Sequence, residues 1–402
     1  MVDRDEEDIS WDHLPQHILV SVFTYLTPHE RLQAALSCKS WLTCLQHPLL
    51  WRRFVCRFIQ PVNSKLLQPI ENHGHRIRAL VVELDQEKAD NRINACKILR
   101  SLADNLQRKL TSLTVRFLGQ NPLFYAGHEF VTELKLLFDF ARLPAVPHFL
   151  TDIDLSGLDV AFDDTLFDAL AENQPQLESL NIQNKSLICK VSPFCMLRLV
   201  SQCRKLKDLR VFHVSLSDEV LLALARPEEP CLRRLSIVFR REAKYTEDLS
   251  SEAWLALVNK IPKLSVMLGF DHTCPLHRIS DLMKAEIPVT VLRLETFTHI
   301  ADEVNQATTF YHKTLEEVVL QTRNSEELSR ALIRLAEECS RLRTLLVYCV
   351  LNQSVVERIL DLHPEMKRRG SYILKHQMEE GPWVVGAETD EEVRERLQTS
   401  MN

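Results

Sequence analysis

The sequence predicts an α/β chain in two parts: a small all-helical module, then a long curved solenoid of repeats, each with one short parallel strand and one helix. Two observations carry this expectation. Between residues 11 and 58 apolar side chains recur at helical spacing. From Ile77 onward an apolar triplet with spacing i, i+3, i+5 occurs nine times, with helix-patterned stretches between the copies.

The module comes first. Leu14-Pro15 opens a helix, with proline where a missing N–H costs nothing. Ile18, Leu19, Val22, Phe23 and Leu26 then make an apolar face. Thr27-Pro28-His29-Glu30 is a capping-box pattern that starts a second helix carrying Leu32, Ala35 and Leu36. Ser40-Trp41 leads into Leu42 and Leu45, and Pro48 begins a last helix through Leu49, Leu50 and Trp51. So short a segment has more apolar side chains than it can hide. The surplus either packs on the adjoining domain or forms a partner interface.

The repeats occupy most of the remaining chain. The triplets are Ile77-Leu80-Val82, Leu110-Leu113-Val115, Leu150-Ile153-Leu155, Leu177-Leu180-Ile182, Leu206-Leu209-Val211, Leu232-Leu235-Ile237, Val289-Leu292-Leu294, Leu315-Val318-Leu320 and Leu342-Leu345-Val347. Alternation inside each triplet marks a short strand with one buried face. Asp163–Ala171 and Glu219–Ala225 are examples of the helical stretches between triplets. A strand and a helix cannot bury their apolar edges alone, so neighbours must stack. Near Leu264 the register shifts, with Val266 and Leu268 expected to form the strand. The asparagine or cysteine that bonds the turn in regular repeats is absent at its usual place; Lys185, Val214, Arg240, Arg323 and Val350 stand there instead. An α/β domain that only mimics repeats is the alternative, which nine triplets make a poor explanation.

The order Leu14-Pro15, Ile18-Leu19, Phe23, Leu26, Arg31-Leu32, Ser37-Cys38-Lys39, Trp41, Trp51 resembles an F-box, apart from His17 where that family usually has an acidic residue. With degenerate leucine-rich repeats behind it, the chain resembles the F-box/leucine-rich-repeat substrate receptors. Asn121–Gly127, Ser251–Leu257 and Ser354-Val355-Val356 extend the resemblance into the repeats. The resemblance implies docking to the Skp adaptor and, through it, to a cullin and a RING subunit. It places Leu14, Pro15, Ile18, Leu19, Phe23, Leu26, Leu32, Trp41 and Trp51 at or beside the adaptor interface, the two tryptophans also holding the module together. It implies a substrate-recognition subunit of an SCF-type ubiquitin ligase, with a protein substrate on the repeats. A non-degradative scaffold that uses its F-box only for assembly is the alternative.

The expected organisation is an acidic N-terminus (1–10), the F-box (11–58), a connector (59–75), the solenoid (76–375) and an acidic tail (376–402). In the tail, Pro382-Trp383-Val384-Val385 is the apolar patch expected to cap the last repeat. Arg210, Arg234, Arg240, Arg241 and Arg293 are candidates for an acidic or phosphorylated substrate, since guanidinium forks suit such oxygens; a solvated rim is the plainer reading.

Composition excludes several classes. A formal net charge of −6 argues against a broad nucleic-acid surface. With only 8 glycines, phosphate-cradling loops have little to be built from, and no GxSxG, Walker or HExxH pattern occurs. A non-catalytic chain without cofactor is therefore expected. His272-x-Cys274-x-x-His277 offers three ligands where a structural zinc wants four, so no metal is assigned. Cys189, Cys195 and Cys203 read as core thiols, and His73-Gly74-His75 as a solvated turn. The start is acidic, no apolar run has membrane-spanning length, and the 11 cysteines lack any CxxC pair. No membrane contact is expected, and the compartment is the cytoplasm, the nucleus or both.

Overall fold

The computed structural model describes residues 14–59, 68–120, 127–139, 149–226 and 228–375. The expectations for 1–10, Asn121–Ala126 and the tail from residue 376, including Pro382–Val385, lie outside these. The chain divides into two compact units, Met1–Lys190 and Val191–Asn402.

The first unit opens with four short helices, α1 (Gln16–Thr24), α2 (Pro28–Ala35), α3 (Lys39–Cys44) and α4 (Pro48–Arg52). The capping box closes as its sequence predicts. Thr27 N–H donates to Glu30 Oε2 at 2.7 Å, and Glu30 N–H to Thr27 Oγ1 at 3.3 Å. The helical reading of residues 11–58 stops at Arg52. Arg53–Phe58 is a strand, β1, with Phe54, Cys56 and Phe58 buried on one face. Next come α5 (Gln68–His73), β2 (Ala79–Leu84), α6 (Ala89–Ala103), β3 (Ser112–Phe117), α7 (His128–Phe138), β4 (Asp152–Gly157), α8 (Asp164–Asn173) and β5 (Ser179–Asn181). β1 to β5 pair in parallel and in chain order, through Phe54 with Leu80, Leu80 with Leu113, Leu113 with Ile153, and Ile153 with Leu180. The strand-and-helix array thus starts within the segment assigned to the module, because Trp51 turns directly into β1.

The second unit runs through α9 (Pro193–Gln202), β6 (Asp208–Phe212), α10 (Asp218–Ala225), β7 (Arg234–Phe239), α11 (Ser251–Lys260), β8 (Ser265–Phe270), α12 (Leu276–Leu282) and β9 (Val289–Thr298). It continues through α13 (Ala301–Tyr311), β10 (Glu317–Thr322), α14 (Glu326–Glu338), β11 (Thr344–Val350), α15 (Gln353–Leu362), α16 (Pro364–Arg369) and β12 (Tyr372–Lys375). Again the strands pair in parallel and in chain order. Serine side chains start three of the helices. Ser192, Ser250 and Ser325 Oγ each accept the backbone N–H three residues on, at 3.1 Å.

In both units the triplets are the core. No triplet side chain, including Leu264, Val266 and Leu268, is more than 4% exposed. Each contributes on the order of 1.5–3 kcal/mol of apolar burial. The irregular copy at Leu264 has a clear resolution. Leu235 pairs with Val266 and Ile237 with Leu268, but Leu268 then pairs with Leu292 and Phe270 with Leu294. The triplet frame slides by two residues between β8 and β9, with the irregularity between Val266 and Met267. A slide of one would turn every inward side chain outward; a slide of two keeps the faces.

The turn asparagine is also present, one position early. Asn184 is buried, and its Nδ2 donates to the carbonyls of Leu158 at 2.7 Å and Val160 at 2.8 Å, which belong to the preceding repeat. Gln86 does similar work, exchanging hydrogen bonds with the Gly119 backbone at 2.8 and 2.9 Å. Among the described residues no helix is long and apolar enough to cross a membrane.

Candidate functional site

The four N-terminal helices bury one face and leave another bare. Leu19, Val20 and Phe23 of α1 enter a core with Ala35, Cys44, Leu45, Leu50 and Trp51. Phe23 meets Trp41 edge-on, with centroids 5.7 Å apart at 82°. Along the other side of α1, Ile18 (42% exposed), Val22 (45%) and Tyr25 (90%) stand at i, i+4 and i+7. That spacing makes them one stripe. Leu36, Leu42 and Leu49, after α2, on α3 and on α4, are also exposed. A module this small keeps so much apolar surface in water only where something covers it.

Two polar devices hold the module rigid. Arg31 lies partly buried and donates Nε to the Phe23 carbonyl at 2.8 Å, Nη2 to the Thr24 carbonyl at 3.3 Å, and Nη1 to the Leu50 carbonyl. The first two carbonyls end α1, where that of Phe23 also accepts the Leu26 N–H at 3.2 Å, so the cation meets the negative end of that helix. Burial lowers the Arg31 pKa. Trp51 donates Nε1 to the Leu45 carbonyl at 2.5 Å and stacks on Phe54 at 5.8 Å. His73 closes the other side of that indole, its ring stacked at 4.0 Å and 20°. This replaces the solvated-turn reading. Burial, then Arg76 and His75, lower the His73 pKa, favouring the neutral ring.

The repeat-face arginines come with carboxylates. Arg210 forks onto Asp208 at 3.0 and 3.1 Å, and Arg234 reaches the same carboxylate at 2.8 Å. Arg240 lies over the Phe212 ring at 4.1 Å and pairs with Asp271 at 3.3 Å. Arg293 pairs with Glu295 at 3.2 Å, and Arg241 is exposed in the turn after β7. Shared acids offset much of the positive charge that the sequence concentrates here.

Residues 11–57 match the F-box-like family model. The helical module is an F-box-like domain. Over 92% of its length the chain is homologous to F-box/LRR-repeat protein 8. The Homo sapiens protein is 28% identical over 375 residues, which is 92% of this chain and 96% of the relative. The Mus musculus protein is 29% identical over 377 residues, at 92% and 97%. F-box/LRR-repeat protein 21 of Bos taurus is 25% identical over 354 residues, at 84% and 76%. An F-box-like domain implies a Skp-type adaptor partner.

Within the F-box-like domain, the nine residues named from sequence fall into three sets. Pro15 and Ile18 are exposed; Leu14, Leu26, Leu32 and Trp41 are half-buried; Leu19, Phe23 and Trp51 are core. Tyr25 was missed, although its place seven residues after Ile18 on the same helix could have found it.

Cys195 and Cys203 are core thiols and Cys189 is half-buried. Burial pushes the thiols of Cys203 and Cys274 up to about 12, which keeps them protonated. Among the described residues, no three His, Cys, Asp or Glu side chains gather as metal ligands.

His213 gives a pH-dependent expectation. It is buried, shares a hydrogen bond with Thr246 Oγ1 at 3.0 Å, and packs on Phe239 at 4.6 Å. Burial holds its pKa down at about 4, opposed by Asp248 and reinforced by Arg278. Between about 6.5 and 4 the unfolded chain takes up a proton that the fold refuses. Stability is therefore full above the upper limit and falls with pH by about 1.4 kcal/mol per unit. Urea unfolding at pH 7 and pH 5 should show about 2 kcal/mol lost through this group, and His213→Phe should remove that increment. An unchanged pH slope in the variant would assign the loss elsewhere.

Proposed function

We propose that this chain is a substrate-recognition subunit of an SCF-type ubiquitin ligase, working in the cytoplasm or nucleus. The observation that carries the proposal is the bare stripe Ile18–Val22–Tyr25, with Leu36, Leu42 and Leu49, on an F-box-like domain that already has its own core. The Skp adaptor covers this stripe and joins the chain to the cullin and RING subunits. A protein substrate is held on the repeats, whose strands present the paired arginines. The chain supplies no bond-making group. It raises the effective concentration of substrate lysines beside the charged conjugating enzyme, which turns an encounter in solution into one within a complex. Likeness to F-box/LRR-repeat proteins along almost the whole chain supports the reading.

The test is retention of purified Skp adaptor by the full chain. Ile18→Asp and Val22→Asp place charge in the apolar stripe without entering the core. Each should weaken binding at least about 30-fold, the ~2 kcal/mol that marks a hot spot. Equal retention by wild type and both variants, with helicity intact, would sink the assignment of this face.

A further inference from the structure

The turns that lead into β6, β7 and β8 gather positive charge on one rim of the second unit. Lys205 and Lys207 flank Leu206, Arg233 and Arg234 follow Leu232, and Lys260 and Lys263 precede Leu264. All are exposed except Lys207, which is half-buried. The backbone sets the three turns side by side. Arg233 N–H donates to the Lys207 carbonyl at 2.8 Å, and Ser265 N–H to the Arg233 carbonyl at 2.9 Å.

Compensation of helix dipoles explains little of this charge. A dipole favours cations only within the last helical turn, and of these residues only Lys260 lies in one, that of α11. Nor do carboxylates answer it. In a later repeat Glu316 takes up both Arg341 at 2.5 Å and Arg343 at 3.9 Å. At this rim Asp208 is buried and shared between Arg210 and Arg234. Among the described residues no ion pair reaches Lys205, Arg233, Lys260 or Lys263. Glu228 and Glu229, in the connector before β7, still leave the rim in positive excess on a chain whose formal net charge is −6.

We propose that this rim holds a segment rich in aspartate and glutamate from the substrate protein; that the segment belongs to a substrate rests on the receptor reading above. Two features choose this ligand. The charges are spread over about 10 Å from β6 to β8, at about 4.8 Å per strand, so they match a run of carboxylates and not a single phosphate. An extended peptide, rising about 3.3 Å per residue, crosses that span in about three residues. The opposite rim of the same repeats is acidic, with Asp218 and Glu219 opening α10 and Glu252 opening α11. A nucleic acid, charged along its whole length, meets both signs there. A short acidic segment meets only the basic one.

Fluorescence anisotropy of a labelled hexaglutamate peptide with the full-length chain tests the proposal. The peptide should bind at an ionic strength of about 0.01 M. At about 0.1 M, where the screening length falls from about 30 to about 10 Å, binding should weaken at least about tenfold. Lys207→Glu with Arg233→Glu should abolish binding, and Lys205→Gln with Lys263→Gln should weaken it. Arg323→Glu, on the opposite rim, should leave it unchanged. Circular dichroism and adaptor retention should match wild type in every variant. Adaptor retention reports on the ligase reading separately: a wild type that holds the peptide but not the adaptor keeps the rim and loses the receptor. No peptide binding by folded wild type, or equal binding by both rim variants, would overturn the proposal. So would tighter binding of an oligothymidylate of equal charge, which gives the rim to nucleic acid.

Discussion

Phe23→Ala is expected to unfold the F-box-like domain while the repeats stay folded. Phe23 is fully buried, edge-on to Trp41, in a core supplied by only a handful of side chains. Truncating a core phenylalanine costs about 3–5 kcal/mol, most of it where the site cannot collapse. Four short helices have little reserve against such a loss. The repeats bury their triplets against their own neighbours, and nearest-neighbour stability keeps most of the damage local. Hydrogen exchange should show α1 to α4 exchanging freely, with α6 and α7 protected as in wild type and adaptor retention abolished. Set beside Ile18→Asp, which should lose the adaptor with the domain intact, the pair separates folding from docking. Slow exchange of α1 in the Phe23 variant would remove Phe23 from the core it is assigned to.

That contrast marks where the sequence stops being readable. Ile18, Leu19, Val22 and Phe23 are all apolar and sit on adjacent positions of one helix, so periodicity locates the helix without saying which stripe faces inward. Only the packing of Phe23 on Trp41 and of Leu19 beside it decides this. The repeats were more legible because their signal has two parts. Period-2 alternation gives the strand and its inward face at once, and helical stretches between copies give the second layer. The same alternation was present in Phe54-Val55-Cys56-Arg57-Phe58, yet β1 escaped notice because its lead-in is α4 where other copies have a leucine. β12 escaped for its length, four residues with no triplet ahead of it.

Other parts were hidden for a different reason. Asn184 and Gln86 bond the backbone of neighbouring repeats, and a backbone carbonyl leaves no trace in sequence. A fixed motif position is then a poor guide: Asn184 sits one residue early and still reaches two carbonyls. The arginines were legible as residues but not as a charge pattern, because Asp208 and Asp271 become their partners only when strands and turns align. His73 shows the same limit, since nothing in His73-Gly74-His75 announces Trp51 as a neighbour.

Arg108→Met should destabilise the first unit by about 3–5 kcal/mol, the range for removing one partner of a buried charged network. Arg108 is buried, and its guanidinium joins the ends of two helices. Nη1 donates to the carbonyls of Ala103 at 2.5 Å and Leu102 at 3.5 Å, where α6 finishes. Nη2 donates to Leu137 at 2.9 Å and Asp139 at 3.0 Å, where α7 finishes. Carbonyls in a last helical turn mostly lack an i+4 donor, although that of Leu102 accepts the Asn105 N–H at 3.3 Å, and a cation there also meets the negative end of each dipole. Burial pulls the Arg108 pKa down to about 10, with Asp139 and Asp104 opposing, so the group stays charged at neutral pH. Two effects compete in the variant. Methionine removes the cost of burying a charge and keeps much of the apolar stem. It also strips several carbonyls of their donor, and each buried acceptor left unsatisfied costs about 1–3 kcal/mol. The second effect wins, because the acceptors belong to the backbone and cannot leave with the side chain. Arg108→Lys keeps the charge but not the fork, and a single ammonium cannot serve two helix ends, so it should recover less than half of the loss. Urea midpoints at constant slope measure both. A methionine variant within about 1 kcal/mol of wild type would mean that water replaces the guanidinium at these carbonyls, and that the two helices are held by their apolar faces alone.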